Sequence, residues 1–227
     1  MPNEPAPLPS SRRDVDAFLA QRRQQRQVAH AWYGRLIFAA DATMSREPMW
    51  TLACRLQSDM FREVAAIGSL DVQLVHYYGP DGFKASPWVS DATALADLME
   101  KIECRSGYTQ IAKVLAHVHT ENAAQKLSAL VFIGDAVEEE SAVLYGLAVG
   151  LGVPAFMFLE GDDPHAAKVF QEIARLTDGA YCRFDAGAAD QLRDLLRAAA
   201  TYAAGGWKAL SASRNAGAVK LLQQQLK

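Results

Sequence analysis

Arg35-Leu-Ile-Phe-Ala-Ala-Asp-Ala-Thr-Met-Ser45 sets an apolar run of strand length against three oxygen-bearing side chains at alternate positions, Asp41, Thr43 and Ser45. Arg46-Glu47-Pro48 then opens a long amphipathic segment. A buried strand feeding a helix through a polar turn is the layout of an α/β crevice, where ligands gather beyond the carboxyl ends of strands. A second apolar run, Leu130-Val-Phe-Ile-Gly-Asp135, also ends in an aspartate. Two buried strands that each deliver a carboxylate at the same end are the basis for a site.

Outward from this stretch the chain alternates between strand and helix patterns. Strand one covers roughly 35–41, and a helix over about 47–67 buries Met49, Ala53, Leu56, Met60, Val64 and Ile67 at helical spacing. Asp71–Tyr78 reads as strand two and stops at Gly79-Pro80-Asp81-Gly82, strong turn chemistry. Phe83–Val89 follows too soon for a helical crossover, so it returns antiparallel as strand three, and Pro87 suits a sheet edge. Helices near 91–103 and 109–122, strand four at 128–135, a helix at 138–151, strand five at Pro154–Leu159, a helix at 164–177, strand six at 179–185 and a helix at 187–203 complete the series. Strands separated by helix-length segments call for an α/β, Rossmann-like, doubly wound and mostly parallel six-stranded sheet with helices on both faces. The expected order is 3-2-1-4-5-6, with strand three an antiparallel edge.

The ends of the chain differ from this middle. Pro2, Pro5, Pro7 and Pro9 make a disordered lead-in, and residues 12–30 read as a basic helix held by Val15, Phe18 and Leu19. Gly205-Gly206 breaks the chain, leaving 205–227 as a tail with Trp207, Leu210, Val219, Leu221, Leu222 and Leu226 as anchors. The expected division is therefore 1–30 for the extension, 31–204 for the domain and 205–227 for the tail.

Composition narrows the function classes. Half of the 227 residues are apolar and 22% are charged, with a net charge of −3 and a pI of about 6.0. No global basic character points to nucleic acid or an anionic membrane. No apolar stretch reaches the roughly 20 residues that span a bilayer. The opening Met-Pro-Asn-Glu-Pro-Ala-Pro lacks a basic and then apolar leader. Cys54, Cys104 and Cys182 are odd in number and widely spaced, without a paired-cysteine motif. A reducing cytoplasmic setting is the expectation.

In the order 3-2-1-4-5-6, strands one and four are neighbours, so Asp41 and Asp135 meet at the switch point. Arg105-Ser-Gly-Tyr-Thr109 lies before the helix that leads into strand four, with Thr109 a candidate N-cap. Two carboxylates and three hydroxyls form an all-oxygen set, which suits a hard cation such as magnesium. Two negative charges balance one divalent ion and leave it able to accept a further carboxylate from outside.

This arrangement resembles a von Willebrand factor A-type (VWA) domain over about residues 33–203. The order D-x-T-x-S after strand one, a threonine before strand four and an aspartate at its end are similar to the family's metal-ion-dependent adhesion site (MIDAS). The resemblance implies a divalent ion, Mg2+ or Mn2+, held by Asp41, Thr43 and Ser45 from the first motif, Thr109 from the second and Asp135 from the third. It implies a non-enzymatic adaptor role, in which a partner protein's Asp or Glu completes the coordination and larger assemblies are joined. Met44 and Ala136 stand where the family often has glycine, which bears on loop geometry and affinity.

Plainer readings exist for the same residues. Ser45 with Glu47 and Pro48 caps the first helix and Asp41 hydrogen-bonds that turn, while Asp135 before Glu138-Glu139-Glu140 places acidic charge near a helix start, where the dipole favours it. A metal-free VWA scaffold docking through its terminal extensions is the alternative function. A phosphatase of the haloacid dehalogenase kind is a third reading, but it needs a carboxylate two residues beyond Asp41, and Thr43 stands there. Gly146, Gly150 and Gly152 mark a helix end, not a dinucleotide loop. His117 and His119 point to different faces of one helix, and His76 reads as a satisfied edge histidine. Cys104 has no base beside it and reads as a packed thiol.

Overall fold

A strand as apolar as Leu36–Ala40 needs cover on both faces, and the sheet gives it the central place. The computed structural model describes residues 33–42, 69–78, 82–104, 107–185 and 188–225, with side chains described up to residue 220. The expected helices at 12–30 and 47–67, the turn at 79–81, and Thr43, Ser45, Arg105 and Ser106 lie outside the described residues. β1 (Tyr33–Asp41) pairs in parallel with β2 (Ser69–Tyr78) on one side and β4 (Ala129–Gly134) on the other. β5 (Ala155–Glu160) and β6 (Ala180–Phe184) extend the parallel run, and β3 (Gly82–Val89) returns antiparallel on β2. The order is β3-β2-β1-β4-β5-β6, the topology and the one antiparallel edge expected from the sequence.

Successive residues of β1 feed two separate cores. Leu36, Phe38 and Ala40 face one side with Val131, Ile133, Phe156 and Phe158. Ile37 and Ala39 face the other with Leu130, Phe132, Met157 and Leu159. This is the period-2 rule applied to a sheet covered on both faces. On the first side lie α1 (Ala92–Met99), through Leu95 and Met99, and α5 (Ala189–Ala212), through Leu192, Leu195, Leu196 and a run of alanines. On the second side lie α2 (Ile111–Ala124), α3 (Ser141–Val149) and α4 (Pro164–Leu176).

Local chemistry sets several ends. Asp91 accepts from the Ala94 N–H at 2.9 Å to start α1, and Asp163 accepts from the Ala166 N–H at 2.6 Å ahead of Pro164 to start α4. Gly150 follows α3 as its cap, as the glycine pattern predicts. At Gly206 the backbone takes φ 64°, a conformation open to glycine, and kinks α5. The chain past that kink is helical instead of trailing. Trp207 stacks edge-on to Tyr202 at 4.8 Å, Tyr202 does the same to Phe156 at 5.0 Å, and Leu210 is fully buried. α6 (Ala216–Gln225) then lies beside α5 and β6, with Ala218 buried and Val219 half exposed. Trp207 and Leu210 anchor as expected, whereas Val219 does not.

A polar cluster closes the opposite end of β1. Arg35 is almost fully buried, donates from Nη1 to the Gln125 carbonyl at 2.9 Å and lies over the Trp88 ring at 3.8 Å. Glu121 takes the Trp88 indole N–H at 3.2 Å and pairs with Arg35 at 3.7 Å. Among the described residues no helix is long and apolar enough to cross a membrane.

Candidate functional site

Register brings the two aspartates to one edge. Ala40 lies beside Ile133, so Asp41 and Gly134 are level, and Asp135 is the next residue along. Adjacent strands are about 4.8 Å apart, so both carboxylates start from neighbouring positions at the carboxyl end of the sheet. Asp41 is 2% exposed and Asp135 half-buried. The Ala42 N–H continues the ladder to the Tyr77 carbonyl at 3.0 Å, which keeps the backbone after Asp41 fixed to β2. Beneath lies an apolar floor. The Tyr77 and Phe132 rings stack at 6.4 Å, and Phe132 meets Phe170 edge-on at 5.4 Å.

Thr109 comes to the Asp135 loop, although not as a helix cap. The Thr109 N–H donates to the Glu138 carboxylate at 2.7 Å, and the Glu138 N–H donates to the Thr109 hydroxyl at 3.0 Å. The N-cap of α2 is Gln110, which makes no side-chain cap bond. The cap comes from Glu139, whose two carboxylate oxygens accept from the Ile111 and Ala112 N–H groups at 2.8 Å each. This corrects the sequence reading twice. Thr109 is turned to the β4 loop, and the acidic run serves α2 in place of its own helix α3. A carboxylate at a helix start is favoured by both orphan N–H groups and the dipole, whichever segment supplies it. The sequence signal for Glu138 and Glu139 was only their closeness to Asp135.

The remaining candidates fall away from this edge or into packing. His117 shares a 2.8 Å hydrogen bond with Gln73 and meets Phe83 edge-on, whereas His119 lies 3.2 Å from the Gly150 carbonyl. His76 stacks on Tyr78 at 5.9 Å, and burial, aided by Lys84, pulls its pKa down to about 4. Cys104 packs against the first core. Burial pushes the Cys182 thiol up to about 11, which keeps it protonated and unreactive. Thr43 and Ser45 lie outside the described residues.

Among the described residues, charge at this edge has one sign. The described loop residues 107–110, 135–140 and 161–163 carry Asp135, Glu138, Glu139, Glu140, Asp162 and Asp163 and no lysine or arginine. Among the described residues no three His, Cys, Asp or Glu side chains gather as an ion-binding group. The set expected from sequence has a different make-up, two carboxylates with hydroxyls, which is chemistry for a hard cation.

This topology, with β1 and β4 side by side at the centre of the sheet, is the fold of von Willebrand factor A-type domains. Solved structures carry the likeness at low sequence identity. The chain aligns over 75% of its length with 30% of the pilus adhesin SpaC from Lactobacillus rhamnosus GG, at 12% identity and a TM-score of 0.57. It aligns over 75% of its length with 43% of a von Willebrand factor type A protein from Catenulispora acidiphila, at 15% identity and a TM-score of 0.54. It aligns over 76% of its length with 97% of the SpRpn10 VWA domain, at 10% identity and a TM-score of 0.55. The chain thus spans less than half of the first two proteins. No protein-family model and no curated protein matches the sequence.

Proposed function

We propose that this chain is a non-enzymatic protein-interaction module whose carboxyl edge holds a divalent cation, Mg2+ or Mn2+. A partner protein's aspartate or glutamate completes the coordination. The observation that carries this reading is the register of β1 on β4, which starts Asp41 and Asp135 from neighbouring positions. Asp41, Thr43, Ser45, Thr109 and Asp135 are the proposed donors. When bound, the ion supplies one open electrophilic position for an outside carboxylate.

The chain's own part is positioning. β1 and β4 fix where the two carboxylates begin, Glu138 holds Thr109 against the Asp135 loop, and Glu139 holds the start of α2. The adhesin and VWA-domain likenesses support an interaction role through fold alone, with membership of a larger assembly following from that role. Thr43 at the position where a phosphatase of the haloacid dehalogenase kind needs its general acid supports a non-enzymatic reading. The odd number and wide spacing of Cys54, Cys104 and Cys182, with Cys182 a buried free thiol, support a reducing, cytoplasmic setting.

The test is calorimetric titration of the full chain with Mg2+ and Mn2+. Asp41→Ala and Asp135→Ala, checked for native circular dichroism, should each abolish the binding heat. Unchanged heats in both variants sink the reading. Partner capture that survives chelator sinks its second half.

A metal-free scaffold docking through its terminal extensions is the second reading. One observation favours it: the Thr109 hydroxyl already accepts a hydrogen bond from Glu138, as a purely structural threonine would. Absence of any cation heat, with partner binding lost on removing residues 1–30, supports this scaffold instead.

A further inference from the structure

α3 is apolar on every side. Leu144 and Ala148 are buried and form its packing face. Ala142, Val143, Gly146, Val149 and Gly150 fall on the opposite face by helical spacing, and all five are exposed, Val143 at 51% and Val149 at 69%. A surface helix ordinarily turns polar residues outward, and one that is apolar all round is ordinarily covered.

Among the described residues neither glycine on this face is packed against, although Gly150 also ends α3. A Cβ at Gly146 or Gly150 would meet nothing within 4 Å among the described residues, and neither has a positive φ. Elsewhere the chain uses glycine for close approach: a Cβ at Gly34, Gly179 or Gly217 would strike backbone at 2.4, 2.0 and 2.0 Å. Glycine weakens a helix relative to alanine, so bare backbone on an open face fits a contact made from outside.

Charge at the two ends of the face selects the occupant. Exposed Glu138 and Glu140 stand at the amino end of α3. At the carboxyl end Lys126 donates to the Gly152 carbonyl at 2.9 Å and His119 lies beside the Gly150 carbonyl. An antiparallel copy of the same helix matches acidic end to basic end at both extremes at once. A two-fold axis requires that self-complementarity.

We propose that the exposed face of α3 is a two-fold interface between two copies of this chain. Gly146 lies near the axis, Val143 of each copy packs on Val149 of the other, and Glu140 faces Lys126 of the second copy. A nine-residue helix with its flanks covers less than the roughly 800 Å² per partner of a standard interface. The dimer is accordingly weak and forms in the micromolar range.

Sedimentation velocity of the full chain, from low micromolar to submillimolar concentration, is the test. The wild type should pass from monomer to dimer. Gly146→Leu and Val149→Asp should stay monomeric while keeping native circular dichroism and an unreduced thermal midpoint. Glu140→Lys and Lys126→Glu should each weaken association by about tenfold, and the double variant should recover it. A monomer at every concentration overturns the proposal, as does a dimer that survives both face substitutions. A double charge variant no tighter than the singles overturns the antiparallel pairing.

Discussion

Thr109 and Glu138 hold each other by two hydrogen bonds of opposite sense, N–H to carboxylate at 2.7 Å and N–H to hydroxyl at 3.0 Å. The pair ties the loop before α2 to the loop after β4. Thr109 is only 8% exposed, so its hydroxyl is not readily replaced by water. Thr109→Val should cost about 1–2 kcal/mol, because the Glu138 N–H loses its acceptor. The thermal midpoint should fall by about 2–4 °C for each kcal/mol in a chain of this size. Thr109→Ser should stay close to wild type, and equal losses in both variants would speak against the hydrogen bond.

Glu139 caps a helix from a distant segment, and its removal should act on α2. Glu139→Ala strips two N–H groups of their acceptor and should destabilise by about 1–2 kcal/mol. Glu139→Gln retains one acceptor oxygen and should lose about half as much. Hydrogen exchange at Ile111 and Ala112 is the local readout, and it should rise at both in the alanine variant and at only one of them in the glutamine variant.

His76 makes stability depend on pH in one direction. Its folded pKa of about 4 lies below the usual histidine value because burial penalises the charged ring, with Lys84 adding to the effect. The unfolded chain therefore takes up the proton first. The stabilising contribution is complete above about pH 6.5 and is lost as pH falls toward 4, roughly 2 kcal/mol after allowing for partial exposure. His117 is displaced the same way, again chiefly by burial. Urea midpoints at pH 7 and pH 5 should differ in the wild type, and His76→Gln should narrow the gap.

Gly217 reverses the usual helix rule. A Cβ there would lie 2.0 Å from the Asp194 carbonyl oxygen, so α6 could not sit against α5. Gly217→Ala should destabilise by about 1–3 kcal/mol even though alanine is the better helix former. A gain in the thermal midpoint would show that α6 does not pack there in solution.

The parts of the fold legible in sequence were those whose burial repeats along one element. Leu36–Ala40 and Leu130–Ile133 announce strands covered on both faces, and Asp41 and Asp135 mark their ends, so the order and the edge could be derived. What resisted reading were contacts between distant segments. Glu139 lies 28 residues from the Ile111 it caps, and no local pattern joins them. Thr109 had the chemistry of a cap and a place near a helix start, but its hydroxyl found a nearer N–H on Glu138. The break at Gly206 was visible, whereas the seat of α6 on α5 was not, because it depends on Gly217 and Ala218, whose smallness gives no apolar signal of its own.

The central position of β1 also sets an order of assembly. Leu36 takes Val72 on one side, but its other neighbour, Ala129, is made much later. While the chain is still on the ribosome, Leu36–Ala40 waits with one row of peptide groups unmatched and an apolar surface bare. Non-local pairing of this kind is slow and prone to self-association. Messages truncated ahead of Ala129 should therefore yield inclusion bodies, and a nascent-chain chaperone should hold this protein until Gly134 has emerged.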